Sequence, residues 1–308
     1  MLIIYLLLIL MVLIWSFSFV VVDIAMEFMP PMSLALTRFL IVSLVFIIVD
    51  IFLFLHRKIQ SKNIEAKKEK PHYSKIEWLF IVIASFCGIA FFFVVQYSAI
   101  HLIGPSLPAL FVCLLSPVVI TVLALIFFGE KLTTLKILGF LIATIGGFLL
   151  VTGGDLRTLT PETPNFLGYL FALITPLLWA IYTIATKKIS KEKSNLTTLK
   201  YIAFFGTVEL FIIVLINNEL LIFIQHLANI LVLITGIYLG IGCYIFGYFI
   251  WQKSQRELKS SKGASFLYIE PFLTLIFSIL LNRAETILVW NLVGGFIVLV
   301  AVLIINYK

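Results

Sequence analysis

Charge is what this chain has least of. Charged side chains occupy 12% of its 308 positions, where a soluble domain carries about 25%. With 62% of its residues hydrophobic, it holds more apolar surface than one interior could hide, so a water-soluble globular protein is excluded. Cysteine is also scarce. Cys87, Cys113 and Cys243 fall within apolar runs without CxxC spacing, so neither a disulfide framework nor a zinc motif is written, and they read as packing residues. The four histidines, His56, His72, His101 and His226, stand in or beside expected loops and show no HExxH spacing. No Walker A sequence occurs either, which argues against intrinsic ATP hydrolysis. No metal, no cofactor and no enzymatic activity is expected.

What the chain does have is length of hydrophobic run. Stretches of 18 or more apolar residues recur, and each can cross about 30 Å of hydrocarbon at about 1.5 Å per residue. Breaks at charged, Gly and Pro residues place spans near 2–22, 33–55, 76–100, 104–128, 133–152, 166–186, 198–217, 228–251, 263–281 and 287–306. The opening stretch, Met1 to Val22, has no basic n-region and no small-residue cleavage site, and reads as a retained first helix.

Orientation follows from Lys and Arg, which cytoplasmic loops retain. Every basic residue except Arg38, Arg157 and Arg283 falls on alternate loops or at the C-terminus. The stretch His56 to Lys75 is the richest of these loops. A missed span would scatter the pattern, so the count is even and both termini are expected in the cytoplasm. The net charge of +7 thereby suits an anionic membrane face and not nucleic acid.

The two halves share landmarks. Trp15 parallels Trp179, Pro117 parallels Pro271, Glu130 parallels Glu285, and Leu138-Gly139 parallels Val293-Gly294. A five-helix unit crosses the membrane an odd number of times, so its second copy must be inverted, a recurring device of secondary transporters. The fold expected is all-α integral membrane: ten transmembrane helices as two inverted five-helix repeats, residues 1–154 and 155–308.

The stretch Gln96 to Ile145 has a Tyr-x-Ala start at Tyr97, Pro117 near mid-helix, Gly129-Glu130 after the fourth span and Gly in the fifth. With LIWSFSFV near the N-terminus and TRFL at Thr37 to Leu40, it resembles EamA-type members of the drug/metabolite transporter superfamily over essentially the whole chain. The second copy departs in two places, with Ala284-Glu285 where the first has Gly-Glu and with the very polar QKSQRELKSSKG before the ninth span. The resemblance implies ten helices and transport of a small solute, without naming the solute.

Ionisable groups inside a span cost about 2.5–3.5 kcal/mol on insertion scales, so they mark cavities or partners. Glu209 and Glu270 meet that test. Either could couple to protons, receive the amine of a zwitterion, or make a structural hydrogen bond between helices. Arg38 could bind a carboxylate or phosphate, snorkel from a helix end, or hold Asp23 or Glu27. Trp179, Tyr182, Thr183 and Thr186 recur at helical spacing, Trp15 with Ser18 makes a shorter stripe, and Tyr244, Tyr248 and Trp251 repeat it. Each stripe lines a cavity or faces lipid, and Trp251 could stand in the interfacial belt. Tyr97 completes the cavity candidates. Pro117 and Pro271 are expected to kink their helices symmetrically beside the pathway. Gly236-x-x-x-Gly240 and the Gly146-Gly147 and Gly294-Gly295 pairs indicate close helix contact.

Together these features point to a secondary transporter, working by alternating access as an exporter of a small organic metabolite such as an amino acid. Its cavity is expected between helices 1, 3, 6 and 8, with parts of 2, 4, 7 and 9. The expected partners are the solute, the bilayer of a prokaryotic plasma membrane and, where an acid couples, protons. The alternatives are a channel or a membrane-bound scaffold, and after them an intramembrane enzyme; the oligomeric state is not written in the sequence.

Overall fold

The computed structural model describes residues 2–60, 72–129, 133–155, 157, 165–189, 193–283 and 288–306. Glu130, Glu285 and most of the Lys-rich stretch between His56 and Lys75 lie outside the described residues. All ten expected segments fall on helices: α1 (Leu2–Ala25), α2 (Pro31–Gln60), α3 (Lys75–Ile103), α4 (Ser106–Phe128), α5 (Thr134–Thr152), α6 (Phe166–Lys188), α7 (Asn195–Ile216), α8 (Ile230–Glu257), α9 (Ser260–Ala264, a 3-10 turn Ser265–Ile269, then Glu270–Leu280) and α10 (Val289–Asn306). A short helix, Leu220–His226, connects α7 to α8. Eight of the ten are long and apolar enough to cross a membrane; in α5 and α10 the apolar stretches, Ile137–Leu149 and Val289–Ala301, are shorter. No strand occurs among the described residues.

Local sequence explains several boundaries. α3 begins in a reciprocal cap: Glu77 N donates to Ser74 Oγ (3.2 Å), and Ser74 N donates to Glu77 Oε2 (2.9 Å). α4 ends on Gly129 at φ +64°, a left-handed closure that a residue without a Cβ adopts without strain. α8 runs further than the hydropathy implies, because the polar stretch after Trp251 continues the helix to Glu257. Its carboxamides, on Gln252 and Gln255, are buried against other helices.

Contacts between helix ends gather them at two faces. At one face Lys200, in the first turns of α7, pairs with Asp50 of α2 (2.8 Å), Arg256 of α8 donates to the Lys193 carbonyl (2.6 Å), and Lys187 at the end of α6 donates to Ser260 at the start of α9. At the other face Arg283, just past α9, pairs with Asp23 (3.6 Å) and with Glu27 (2.5 Å) beyond α1, and Ser33 of α2 binds Glu219 (2.8 Å). Thus α6 ends at the basic face, whereas α1 ends at the acidic one.

Lipid offers no hydrogen bonds, so polar side chains inside the bundle find partners on neighbouring helices. Thr207 of α7 meets Ser43 of α2 at 2.9 Å and the Phe39 carbonyl at 3.1 Å, and Thr274 of α9 donates to the Ser16 carbonyl of α1 (3.1 Å). Glycine sets the closest approaches. A Cβ on Gly240 of α8 would stand 3.1 Å from the Arg38 carbonyl of α2, and one on Gly146 of α5 would stand 2.8 Å from the Val298 amide of α10. The expected glycine contacts are therefore made within one chain.

The two prolines differ. Pro117 lies inside an α4 that stays helical from Ser106 to Phe128, whereas Pro271 occupies the first turn of a new α-helical segment after a 3-10 turn. In α9 the break precedes the proline, which needs no backbone donor at that position. The two prolines therefore differ in local setting, Pro117 within a continuous helix and Pro271 where a broken helix resumes.

Candidate functional site

A cavity lies inside the bundle, lined by residues of α1, α2, α3, α4, α6, α8 and α9. α1 contributes Trp15, Ser18 and Phe19; α2 contributes Arg38; α3 contributes Phe92, Phe93 and Gln96; α6 contributes Trp179; α8 contributes Cys243 and Tyr248; and α9 contributes Glu270. Val112 and Cys113 of α4 and Leu267 of α9 complete it. A continuation lined by Val22, Tyr97 and Ile100 leads from Arg38 toward the face that carries Asp23 and Arg283.

Arg38 stands two turns inside α2 and is 3% exposed. Its side chain is buried in the protein, and Asp23 and Glu27 pair with Arg283 and not with it. Instead Nη1 donates to the Tyr97 hydroxyl (3.1 Å), the guanidinium lies over the Phe93 ring at 4.2 Å, and Nε has no partner. It makes none of the ion pairs found among the described residues. A guanidinium keeps its charge in any surroundings, so this cavity contains a cation whose protein partners are a phenol and the rings of Phe93 and Phe39.

Glu270 begins the second α-helical part of α9 and is 2% exposed. One carboxyl oxygen meets the Cys113 thiol, while Oε2 has no partner. Glu209 behaves differently. It is half-buried on α7, with Oε1 2.8 Å from the Ser85 hydroxyl of α3, and it is not among the residues that line the cavity.

On the basic-face side the cavity rests on aromatic rings. Trp15 and Trp179, matched in the two halves of the sequence, meet edge to face at 5.4 Å, and Tyr248 packs on both at 5.7 and 5.2 Å. Trp15 Nε1 donates to the Cys243 carbonyl (2.9 Å), the Ser18 hydroxyl donates to the Trp15 carbonyl (2.6 Å), and Trp179 Nε1 is buried without a partner. Beneath this layer Tyr182 stacks on Trp179 at 5.0 Å, and Trp251 donates from Nε1 to Thr183 Oγ1 (3.2 Å). Trp251 is fully buried, so it belongs to neither a lipid-facing stripe nor an interfacial belt. Tyr244 packs behind the floor, where its hydroxyl donates to the Leu199 carbonyl (2.9 Å).

The sequence thus locates Trp15, Ser18, Arg38, Trp179, Tyr248 and Glu270 around one space. Tyr97 stands beside it, and Tyr182, Thr183 and Tyr244 stand one layer away. Missed were Phe19, Phe92, Phe93, Gln96, Val112, Leu267, Cys113 and Cys243; the two cysteines read as packing residues but contribute cavity wall. Also missed are π-helical segments at Phe86–Ala90 and Tyr238–Tyr248. The second of these widens the turn that carries Cys243 and Tyr248, a distortion frequent at functional sites.

A bundle of apolar helices around a buried, charged, aromatic-lined cavity is the architecture of a multi-pass membrane transporter. The EamA-like transporter family matches residues 2–152 and again 166–307, and the chain belongs to that family. An uncharacterized transporter of Archaeoglobus fulgidus is 25% identical over 308 residues, covering 99% of this chain and 97% of that one. The uncharacterized transporter YyaM of Bacillus subtilis is 26% identical over 191 residues, 61% of this chain and 60% of its own length. A solved crystal structure superposes with a TM-score of 0.58 at 16% identity, covering 98% of this chain and 95% of the other, and so shares the fold.

Proposed function

We propose that this protein is a secondary transporter that exports a small zwitterionic metabolite, such as an amino acid, across a prokaryotic plasma membrane by alternating access. The observation that carries this reading is the presence of Arg38 and Glu270, both buried, in one aromatic-walled cavity. Arg38 supplies a planar donor set for a carboxylate, Glu270 an acceptor for an ammonium group, and the rings of Trp15, Trp179 and Phe92 a surface for the solute's apolar part. The topology proposed is two inverted five-helix repeats, residues 1–154 and 155–308, with the basic face and both termini in the cytoplasm. In that orientation the aromatic floor closes the cytoplasmic side and the Tyr97 continuation leads outward.

Glu270 is the proposed proton-coupling group, since it shares the cavity with the solute; Glu209 binds helix to helix through Ser85. The test is transport of a labelled amino-acid panel in proteoliposomes, with and without a pH gradient, for wild type, Glu270→Gln and Glu209→Gln. Gradient-driven transport that Glu270→Gln uncouples and Glu209→Gln leaves intact supports the assignment. Gradient-independent transport untouched by Glu270→Gln refutes proton coupling, and transport of no panel member refutes the solute class.

A further inference from the structure

The polar run QKSQRELKSSKG, from Gln252 to Gly263, stands out of an apolar sequence, and none of it lines the central cavity. Its first turns nevertheless continue the cavity's own wall. Tyr248, at the end of the π-helical segment, lines the cavity; Trp251 and Gln252 follow one turn on, and Gln255 a turn beyond, on the same side of the α-helical segment Phe249–Glu257. α6 repeats the arrangement, with Trp179 at the cavity, then Tyr182 and Thr183, then Thr186. These two stripes descend about 10 Å from the cavity toward the basic face, at about 1.5 Å per residue. The neighbouring α1 presents buried Leu8, Met11 and Val12 at the same end of its helix, so one wall of the track is polar and another apolar.

The carboxamides on this track are buried but not satisfied. Gln252 is 3% exposed, and its Nε2 donates to the Tyr182 hydroxyl (3.2 Å) while its Oε1 has no partner. Gln255 is 2% exposed, lies against Gly263 of α9, and has no partner for either Nε2 or Oε1. An unpaired buried polar group costs about 1–3 kcal/mol, whereas Leu or Met of similar volume would pack there without that cost. Packing alone therefore does not account for two glutamines in succession on this face.

We propose that Gln252 and Gln255, with Tyr182 and Thr183, form a second, inner binding station for the polar head of the solute, closed in this structure and lying between the aromatic floor and the cytoplasm. The proposal rests on the transporter reading above. Each carboxamide offers an oxygen to an ammonium group and an NH₂ to a carboxylate, so two of them one turn apart address both ends of a zwitterionic head. Neither carries net charge, so the station holds the solute more weakly than Arg38 and Glu270 do and releases it readily.

The test uses single cysteines in a chain whose Cys87, Cys113 and Cys243 are replaced by alanine. Gln255→Cys, Gln252→Cys, the buried off-track control Ser254→Cys and the cavity control Gln96→Cys are exposed to a membrane-impermeant cationic methanethiosulfonate. Right-side-out and inverted vesicles are compared, and each variant is first checked for a monodisperse detergent peak. The expected result is that Gln255→Cys and Gln252→Cys react only from the cytoplasmic face and at least about tenfold faster than Ser254→Cys, as a minor open state exposes them. Gln96→Cys reacts from the outer face. If Gln96→Cys reacts while both glutamine positions stay as slow as Ser254→Cys, the inner station is overturned and the cavity stands. Failure of Gln96→Cys to react from either face overturns the transporter reading itself. Should Gln255→Cys not fold, Gln252→Cys decides alone.

Discussion

Arg38 and Lys differ most at a site like this one, because the guanidinium is held flat over Phe93 while it donates to Tyr97. A lysine keeps the charge but neither the stacked plane nor the fork of donors. Arg38→Lys is expected to lower transport kcat/KM by about 10- to 100-fold, equivalent to about 1.4–2.7 kcal/mol, with unchanged yield of folded protein. Initial rates of labelled amino-acid exchange measure it. Glu209→Gln keeps an oxygen for the Ser85 hydroxyl, so its rate is expected to stay within about twofold of wild type, as for substitutions away from a site. The two acids also mark the limit of sequence reading at this scale. Both carry the signal of an ionisable group inside a span, and that signal cannot separate an acid in a cavity from one between two helices. Phe92, Phe93, Leu267 and Cys113 carry no signal, since in lipid an apolar side chain is as acceptable on the outer surface as on a cavity wall.

Elements were more legible than residues. Hydropathy breaks placed all ten helical segments, and the Gly pairs pointed to tight contacts that α5 and α10 indeed make. A side chain at Gly146 would meet the Val298 amide and the Gly294 carbonyl, both backbone atoms that cannot rotate away. Gly146→Leu is therefore expected to destabilise the bundle by about 1–3 kcal/mol or more, the range for overpacking, and to lower the thermal midpoint in detergent. The π-helical segment at Tyr238–Tyr248 and the 3-10 turn before Glu270 were not legible. Each is a change of backbone register imposed by neighbouring helices, and a hydropathy pattern averages over it. Here the registers matter, because they turn Cys243, Tyr248 and Glu270 toward one space.

For the whole molecule, the contacts between helix ends place the basic cluster around Lys193, Lys200 and Arg256 opposite the acidic cluster around Glu27 and Glu219. If positive charge is retained in the cytoplasm, cysteines placed at Asn218 and Asn282 should react with an impermeant maleimide added outside intact cells, and cysteines at Lys193 and Lys259 only after lysis. The reverse pattern would invert the proposed orientation and make the Tyr97 continuation the cytoplasmic mouth. The repeat was visible as matched landmarks, but the packing of Trp15 on Trp179 was not, since only the folded chain brings the two rings into contact.

That contact gives the protein an optical handle of its own. Of five tryptophans in the chain, three, Trp15, Trp179 and Trp251, lie within 5.4 to 6.1 Å of one another. Indole emission moves to longer wavelength when water reaches the ring, and rings this close exchange excitation. Any event that parts the floor therefore changes the colour and polarisation of the protein's intrinsic fluorescence, so the proposed alternation can be tested in real time without attaching a dye.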